Sequence, residues 1–124
     1  MSGLWTFLNI GLAGLLGAAG VALAAVAAHR TADPSLATAA LFLILHGTAA
    51  VALTAVAGSF PWPQAVLASA SLMIFAVTLF SGDVASRVLL GDRLFAMAAP
   101  TGGSLLILAW LAAAVVALIA AVRG

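Results

Sequence analysis

The 124-residue chain is 66% hydrophobic and 6% charged, with a mean hydropathy of +1.33, which lies far outside the range of soluble globular domains and marks a chain that folds in lipid. Its formal charge of +1 is made of four arginines against three aspartates, which leaves no basic patch for nucleic acid and excludes that partner class. The absence of cysteine excludes disulfides, thiolate metal sites and cysteine nucleophiles.

The first apolar segment, about residues 4–28, carries Gly11, Gly14, Gly17 and Gly20. At ~1.5 Å per residue a helix of this length more than covers the ~30 Å hydrocarbon core of a bilayer. Small residues recur four apart as Gly14, Ala18, Ala22 and as Gly20, Ala24, Ala28, so the segment is expected to act as a packing spine that other helices approach closely. Ala25-Val26-Ala27 resembles a signal-peptidase site. No positively charged leader precedes it, however, and the apolar run is about twice a normal signal core, so the segment is expected to be retained.

His29 to Ser35 forms a short turn in which Asp33 or Ser35 is placed to cap the next helix and Pro34 suits its first turn. The second segment, about 36–57, contains His46, Gly47, Thr48 and Thr54. Gly58 to Pro63 is a tight connection in which two prolines forbid helix continuation, and Trp62 is expected to share an interfacial belt with Trp5.

The third segment, about 64–90, outruns its apolar core, and Asp83 and Arg87 stand four apart in the order that favours an ion pair on one helical face. Gly91-Asp92-Arg93 breaks it. Leu94 to Ala99 is a short apolar link before Pro100-Thr101-Gly102-Gly103 opens the fourth segment, about 101–122, which holds Trp110 and ends near Arg123. The expected fold is therefore all-α: one transmembrane domain of four helices, up-down-up-down, with both termini on one side. Arg30, Arg87 and Arg93 lie opposite the terminal face that carries Arg123, so the count of positive residues places the termini outside the cytoplasm.

His46 falls about ten positions into its segment, near mid-membrane, where a polar side chain usually faces a bundle interior. A neutral imidazole hydrogen-bonded between helices accounts for it; a proton relay, a quinone or haem contact or a metal ligand is the functional alternative. His29 sits at a helix end about half a membrane away in depth, so a bis-histidine haem is not expected. His29 and Arg30 suit the carbonyl end of a helix, and with Asp33, Asp83, Arg87, Asp92 and Arg93 they are expected to converge over one mouth of the bundle, where mutual pairing explains the charges. Pro100 to Gly103 offers helix-start N–H groups to an anion but lacks the lysine and strand of a phosphate loop, so Gly102 and Gly103, like Gly14, Gly17 and Gly20, are read as close-packing positions. No Ser/His/Asp arrangement is legible, and no catalytic residue, metal or cofactor is assigned.

Several of these stretches together resemble one family. Gly17-Ala18-Ala19-Gly20 through Ala28-His29, Leu45-His46-Gly47, Leu79-Phe80-Ser81-Gly82, and Pro100 to Gly103 followed by Leu108-Ala109-Trp110 are similar to the YgdD/YwdK family, domain of unknown function 423. His29 and His46 match histidines of that family. Asp83 stands where the family has a second serine after Phe80-Ser81-Gly82, and Ala85 where it has a tyrosine, which puts any tyrosine-dependent role in doubt. The resemblance implies a small four-helix protein of a bacterial inner membrane, with no established activity and with cytoplasmic termini, opposite to the charge count. The sequence reading is thus a structural or accessory membrane protein, in contact with the lipid bilayer and packing as a homo-oligomer or in a larger membrane complex. A small transporter or a lipid- or quinone-binding protein using His46, His29, Arg30, Asp83 and Arg87 is the alternative.

Overall fold

The computed structural model describes residues 2–30 and 33–123 and is wholly helical among them: α1 Ser2–Arg30, α2 Pro34–Val56, a 3-10 turn Ala57–Ser59, α3 Pro63–Leu90 and α4 Ala98–Arg123. All four α-helices are long and apolar enough to cross a membrane. Of the turn between α1 and α2, Thr31 and Ala32 lie outside the described residues.

Helix boundaries follow local chemistry. Asp33 is the N-cap of α2, its side chain accepting the Ser35 N–H at 2.9 Å, with Pro34 in the first turn. Gly91 ends α3 in the left-handed conformation, φ 83°. The last helix starts at Ala98, ahead of the expected 101, so Pro100 lies inside its first turn, where no backbone N–H is needed.

Register is fixed by close approaches between neighbours. A Cβ on Gly20 would stand 3.1 Å from the Ala40 carbonyl oxygen and 2.7 Å from Ile44 Cγ1, and one on Gly47 would stand 3.1 Å from the Ala13 carbonyl oxygen and 3.5 Å from Gly17 N. The Ser81 hydroxyl donates to the Ala39 carbonyl at 2.8 Å, tying α3 to α2. A Cβ on Gly102 would stand 2.6 Å from Phe80 N and 2.8 Å from the Ala76 oxygen, so α4 lies backbone to backbone on α3. These pairings run in opposite senses along successive helices. The helices therefore alternate up and down, and α1 begins at the same end of the bundle at which α4 finishes.

The four helices do not close into a square. The third is central and touches the other three, whereas the backbone of α4 meets α3 alone. Ala13, Ala50, Ala70 and Ile74 form one core cluster, and Leu43, Ala76, Val77 and Leu106 another. Small buried residues let the axes approach, and dispersion between closely packed backbones, rather than water exclusion, holds helices together in lipid. Thr48, Ser69 and Thr78 donate to the carbonyl four residues earlier in their own helices, which satisfies each hydroxyl without a partner helix.

Candidate functional site

Three polar centres interrupt this apolar framework. The first, near the end where α1 begins, is a closed network across three helices. Asn9 donates through its amide to Thr54 Oγ1 at 3.3 Å and to the Leu67 carbonyl at 3.2 Å, and its oxygen accepts from Ser71 Oγ at 2.8 Å. Ser71 in turn accepts the Trp5 indole N–H at 2.8 Å. Both amide hydrogens of Asn9 are thus committed, and the residue is buried. Trp5 therefore aims its polar edge into the protein, whereas Trp62 stays exposed and lies beneath the Arg123 guanidinium, 5.8 Å from ring centroid to Cζ. Asn9 and Ser71 are not among the residues that the sequence singles out above. The available signal was the chain's single asparagine inside an apolar run, on one helical face with Ala13 and Gly20.

The second centre holds His46. Its Nε2 accepts the Trp110 indole N–H at 3.0 Å, and its Nδ1 lies 2.8 Å from the Phe42 carbonyl oxygen one turn earlier. An indole N–H only donates and a carbonyl only accepts, so the ring is a neutral imidazole with its proton on Nδ1. Both nitrogens are engaged and the residue is only 4% exposed. Phe42 stacks on Phe80 at 4.9 Å between centroids, and Trp110 meets the imidazole edge-on at 5.9 Å, so one aromatic column joins α2, α3 and α4. No ring nitrogen is left open to a metal, a haem or a travelling proton. Replacing Trp110 with Phe is expected to lower stability by ~1 kcal/mol, as for other single interhelical hydrogen bonds. A double-mutant cycle with His46→Phe, read by unfolding in mixed micelles, is expected to give a coupling of about the same size.

The third centre is the charged end. The Asp83 carboxylate is 1% exposed and takes two backbone donors from across the α3–α4 link: Leu94 N–H on Oδ1 at 2.8 Å and Ala99 N–H on Oδ2 at 3.1 Å. This corrects the expected ion pair with Arg87. Each Asp83 oxygen is claimed by the backbone, and the carboxylate serves α4 as a cap delivered from another helix. Between its two contacts the link holds Met97 in the left-handed region, φ 69°, and the Ser86 hydroxyl donates to the Asp92 carbonyl at 2.6 Å. The N–H groups at the start of α4 are likewise engaged within the protein. Ala98 N–H bonds Phe95 O, Ala99 N–H bonds Asp83, Pro100 has no N–H and Thr101 N–H bonds Met97 O, so the first turn of α4 has no free donor.

The remaining predicted residues separate. His29 and Arg30 are exposed in the last turn of α1, where positive charge suits the exposed carbonyls, and His29 is not brought to His46. Among the described residues no group of three or more His or Asp side chains is arranged to hold a metal ion. Asp33 lies at the same end. Its hydrogen bonds to Ser35, with the nearby Arg87 charge adding to them, hold its carboxyl below the usual carboxylate range. A depressed carboxyl contributes stability above its unfolded pKa and loses it only as pH falls through the folded value, so the α2 cap is expected to persist from neutral pH down to ~4. Amide exchange at Ser35 followed from pH 7 to pH 4 checks this. Of the packing glycines, Gly20 and Gly102 sit at close approaches, Gly17 lends its backbone to the Gly47 contact and Gly103 meets the Phe80 ring at ordinary distance, 3.7 Å. Gly14 faces away from the bundle, with nothing within 4 Å of a built Cβ.

Open grooves mark the surface between the helices. An apolar groove of about 270 Å³ lies between α1 and α3, lined by Leu16, Ala19, Leu23, Thr78 and Ala85. A larger pocket, about 550 Å³, opens between α3 and α4 beside Arg87 and Arg93. A family model described as a protein of unknown function, DUF423, matches residues 13–103, from the face of α1 that meets α2 to the Gly102 contact, and is the family the resemblance indicated. No curated protein and no solved structure matches the chain.

Proposed function

We propose that this chain, which belongs to the DUF423 family of proteins of unknown function, is a non-catalytic multi-pass protein of a bacterial inner membrane that associates laterally, with further copies of itself or within a larger membrane complex. The supporting observation is the outer face of α1. At ~100° per residue, Asn9, Ala13, Leu16, Gly20 and Leu23 share the side that packs into the bundle, and Gly11, Gly14, Ala18, Ala22 and Ala25 lie about 180° away from it. All five of these small residues are exposed, and a Cβ built on Gly11 or Gly14 meets nothing within 4 Å.

Lipid-facing helix surfaces need only be apolar. The outer side of α4, with Ile107, Leu111, Val115 and Leu118, is of that large-residue kind. A smooth small-residue track over four turns of α1 instead suits the close approach of another helix, where it contributes packing without side-chain entropy. The polar centres add little to a catalytic reading, since the side chains of Asn9, His46 and Asp83 are engaged inside the protein. The transporter or quinone-binding alternative loses its central residue for the same reason and keeps support only at the charged end.

The cysteine-free chain provides a clean test. Gly14→Cys and Ala18→Cys, introduced singly and oxidised in native membranes, are expected to give disulfide-linked dimers or adducts to one partner, whereas Leu118→Cys on α4 is expected to stay monomeric. Equal cross-linking at all three positions, or none at any, would overturn the reading. Gly14→Leu is expected to abolish association while leaving the unfolding midpoint unchanged, because its side chain enters open space.

A further inference from the structure

The pocket between α3 and α4 at the charged end combines features that the association reading does not use. We propose that it is a headgroup site for an anionic phospholipid, with the Arg87 and Arg93 guanidinium groups taking the phosphate and an acyl chain descending along Phe80, Gly103 and Ile107. The two arginines line the same pocket and both are exposed, with Arg87 also near enough to Asp33 for their charges to interact. Two of the carboxylates at this end are already engaged by backbone N–H groups. Both Asp83 oxygens, which also line the pocket, accept backbone N–H groups, and Asp33 caps α2. Two planar cations of this kind favour phosphate, which accepts bidentate bonds.

The walls decide what kind of phosphate. Below the arginines the lining becomes Phe80, Gly103 and Ile107, with the Ser104 hydroxyl between the levels. A soluble anion has no use for an apolar floor, whereas a phospholipid presents a charged head and apolar tail in that order. Depth agrees: Ile107 is nine residues into α4, ~13 Å below its first residue, so the pocket spans headgroup level to upper acyl chain. The first turn of α4 contributes no free N–H, so binding rests on the arginine side chains and is removable by mutating them. This inference shares with the proposed function only residence in a membrane and does not require lateral association.

Native mass spectrometry of delipidated protein, with phosphatidylglycerol or phosphatidylcholine added back at equal concentration, tests it. The wild-type chain is expected to retain phosphatidylglycerol at least about tenfold over phosphatidylcholine, a difference of ~1.4 kcal/mol. Arg87→Gln/Arg93→Gln is expected to lose that preference, and Arg123→Gln, at the other end of the bundle, to keep it. Because both arginines are exposed, the double variant is expected to unfold at the wild-type midpoint; the two single variants, each with an intermediate preference, supply the readout should it not. Equal retention of the two lipids by the wild type, or undiminished preference in the double variant, would overturn the proposal. So would displacement of phosphatidylglycerol by millimolar inorganic phosphate, which would identify a soluble anion as the ligand. Cross-linking at Gly14→Cys is expected to be unaffected by the arginine changes, so failure of one idea leaves the other standing.

Discussion

Replacing Gly102 with alanine is expected to be among the most damaging single-methyl changes this protein can suffer. The added Cβ would lie 2.6 Å from Phe80 N, 2.9 Å from Phe80 Cα and 2.8 Å from the Ala76 carbonyl oxygen. None of these atoms belongs to a flexible side chain, so relief requires moving one helix off the other. Overpacking of a close-fitted core costs ~1–3 kcal/mol, and a clash against backbone belongs at the upper end. Equilibrium unfolding in mixed micelles measures it, with Gly20→Ala as the internal comparison. There the closest atom is Ile44 Cγ1 at 2.7 Å, which can rotate away, although the Leu43 Cβ and Ala40 oxygen at 3.0 and 3.1 Å still need a small shift. Gly20→Ala is therefore expected to cost less, about 1 kcal/mol. A Gly102→Ala protein as stable as wild type would show that the α3–α4 contact is looser than described.

The second large effect is expected from Asp83→Ala. Removing the carboxylate leaves the Leu94 and Ala99 N–H groups without their acceptor and strips α4 of its cap. Hydrogen bonds to a charged acceptor are worth ~1.5–3 kcal/mol, and an abandoned buried donor adds a desolvation cost, so a loss of about 3 kcal/mol is expected. The damage should be local. Met97 holds its left-handed conformation, unfavourable for a residue with a Cβ by ~1–2 kcal/mol, between the two anchored amides. Without the anchors the link is expected to relax. Hydrogen–deuterium exchange should then show protection falling at residues 94–101 and holding through α2. Asp83→Asn, which keeps one acceptor oxygen, is expected to lose about half as much. If Asp83→Ala instead raised exchange throughout α3, the carboxylate would be acting through Arg87 after all.

The helices were legible in the sequence because crossing a bilayer demands about 20 apolar residues, and few other constraints produce four such runs in a chain this short. Turn chemistry at Asp33-Pro34 and Gly91 was legible for similar reasons, since capping and left-handed backbone each select a few residue types. What escaped was everything set by helix rotation. Gly14 and Gly20 read alike as packing positions, yet they lie ~120° apart around α1, and only Gly20 faces α2. Asn9 and Ser71 are 62 residues apart and meet only because α1 and α3 cross near that end. The sequence pairs Asp83 with Arg87 because side-chain spacing is visible in it, whereas the backbone N–H groups that claim the carboxylate belong to no residue type. For His46 the neutral interhelical reading was available, but its partner was not: Trp110 is reached by two long side chains across helices whose backbones do not touch.

That last arrangement gives α4 an unusual mechanical character. At Gly102 it is seated main chain to main chain on α3, and Leu106 and Val116 continue the apolar contact further along. Trp110 lies eight residues beyond Gly102, ~12 Å along the axis, and its indole reaches α2 through a single hydrogen bond. The imidazole of His46 thus ties α4 to a second helix, so α4 is moored in two unlike ways: by apolar packing along α3 and by one polar bond to α2.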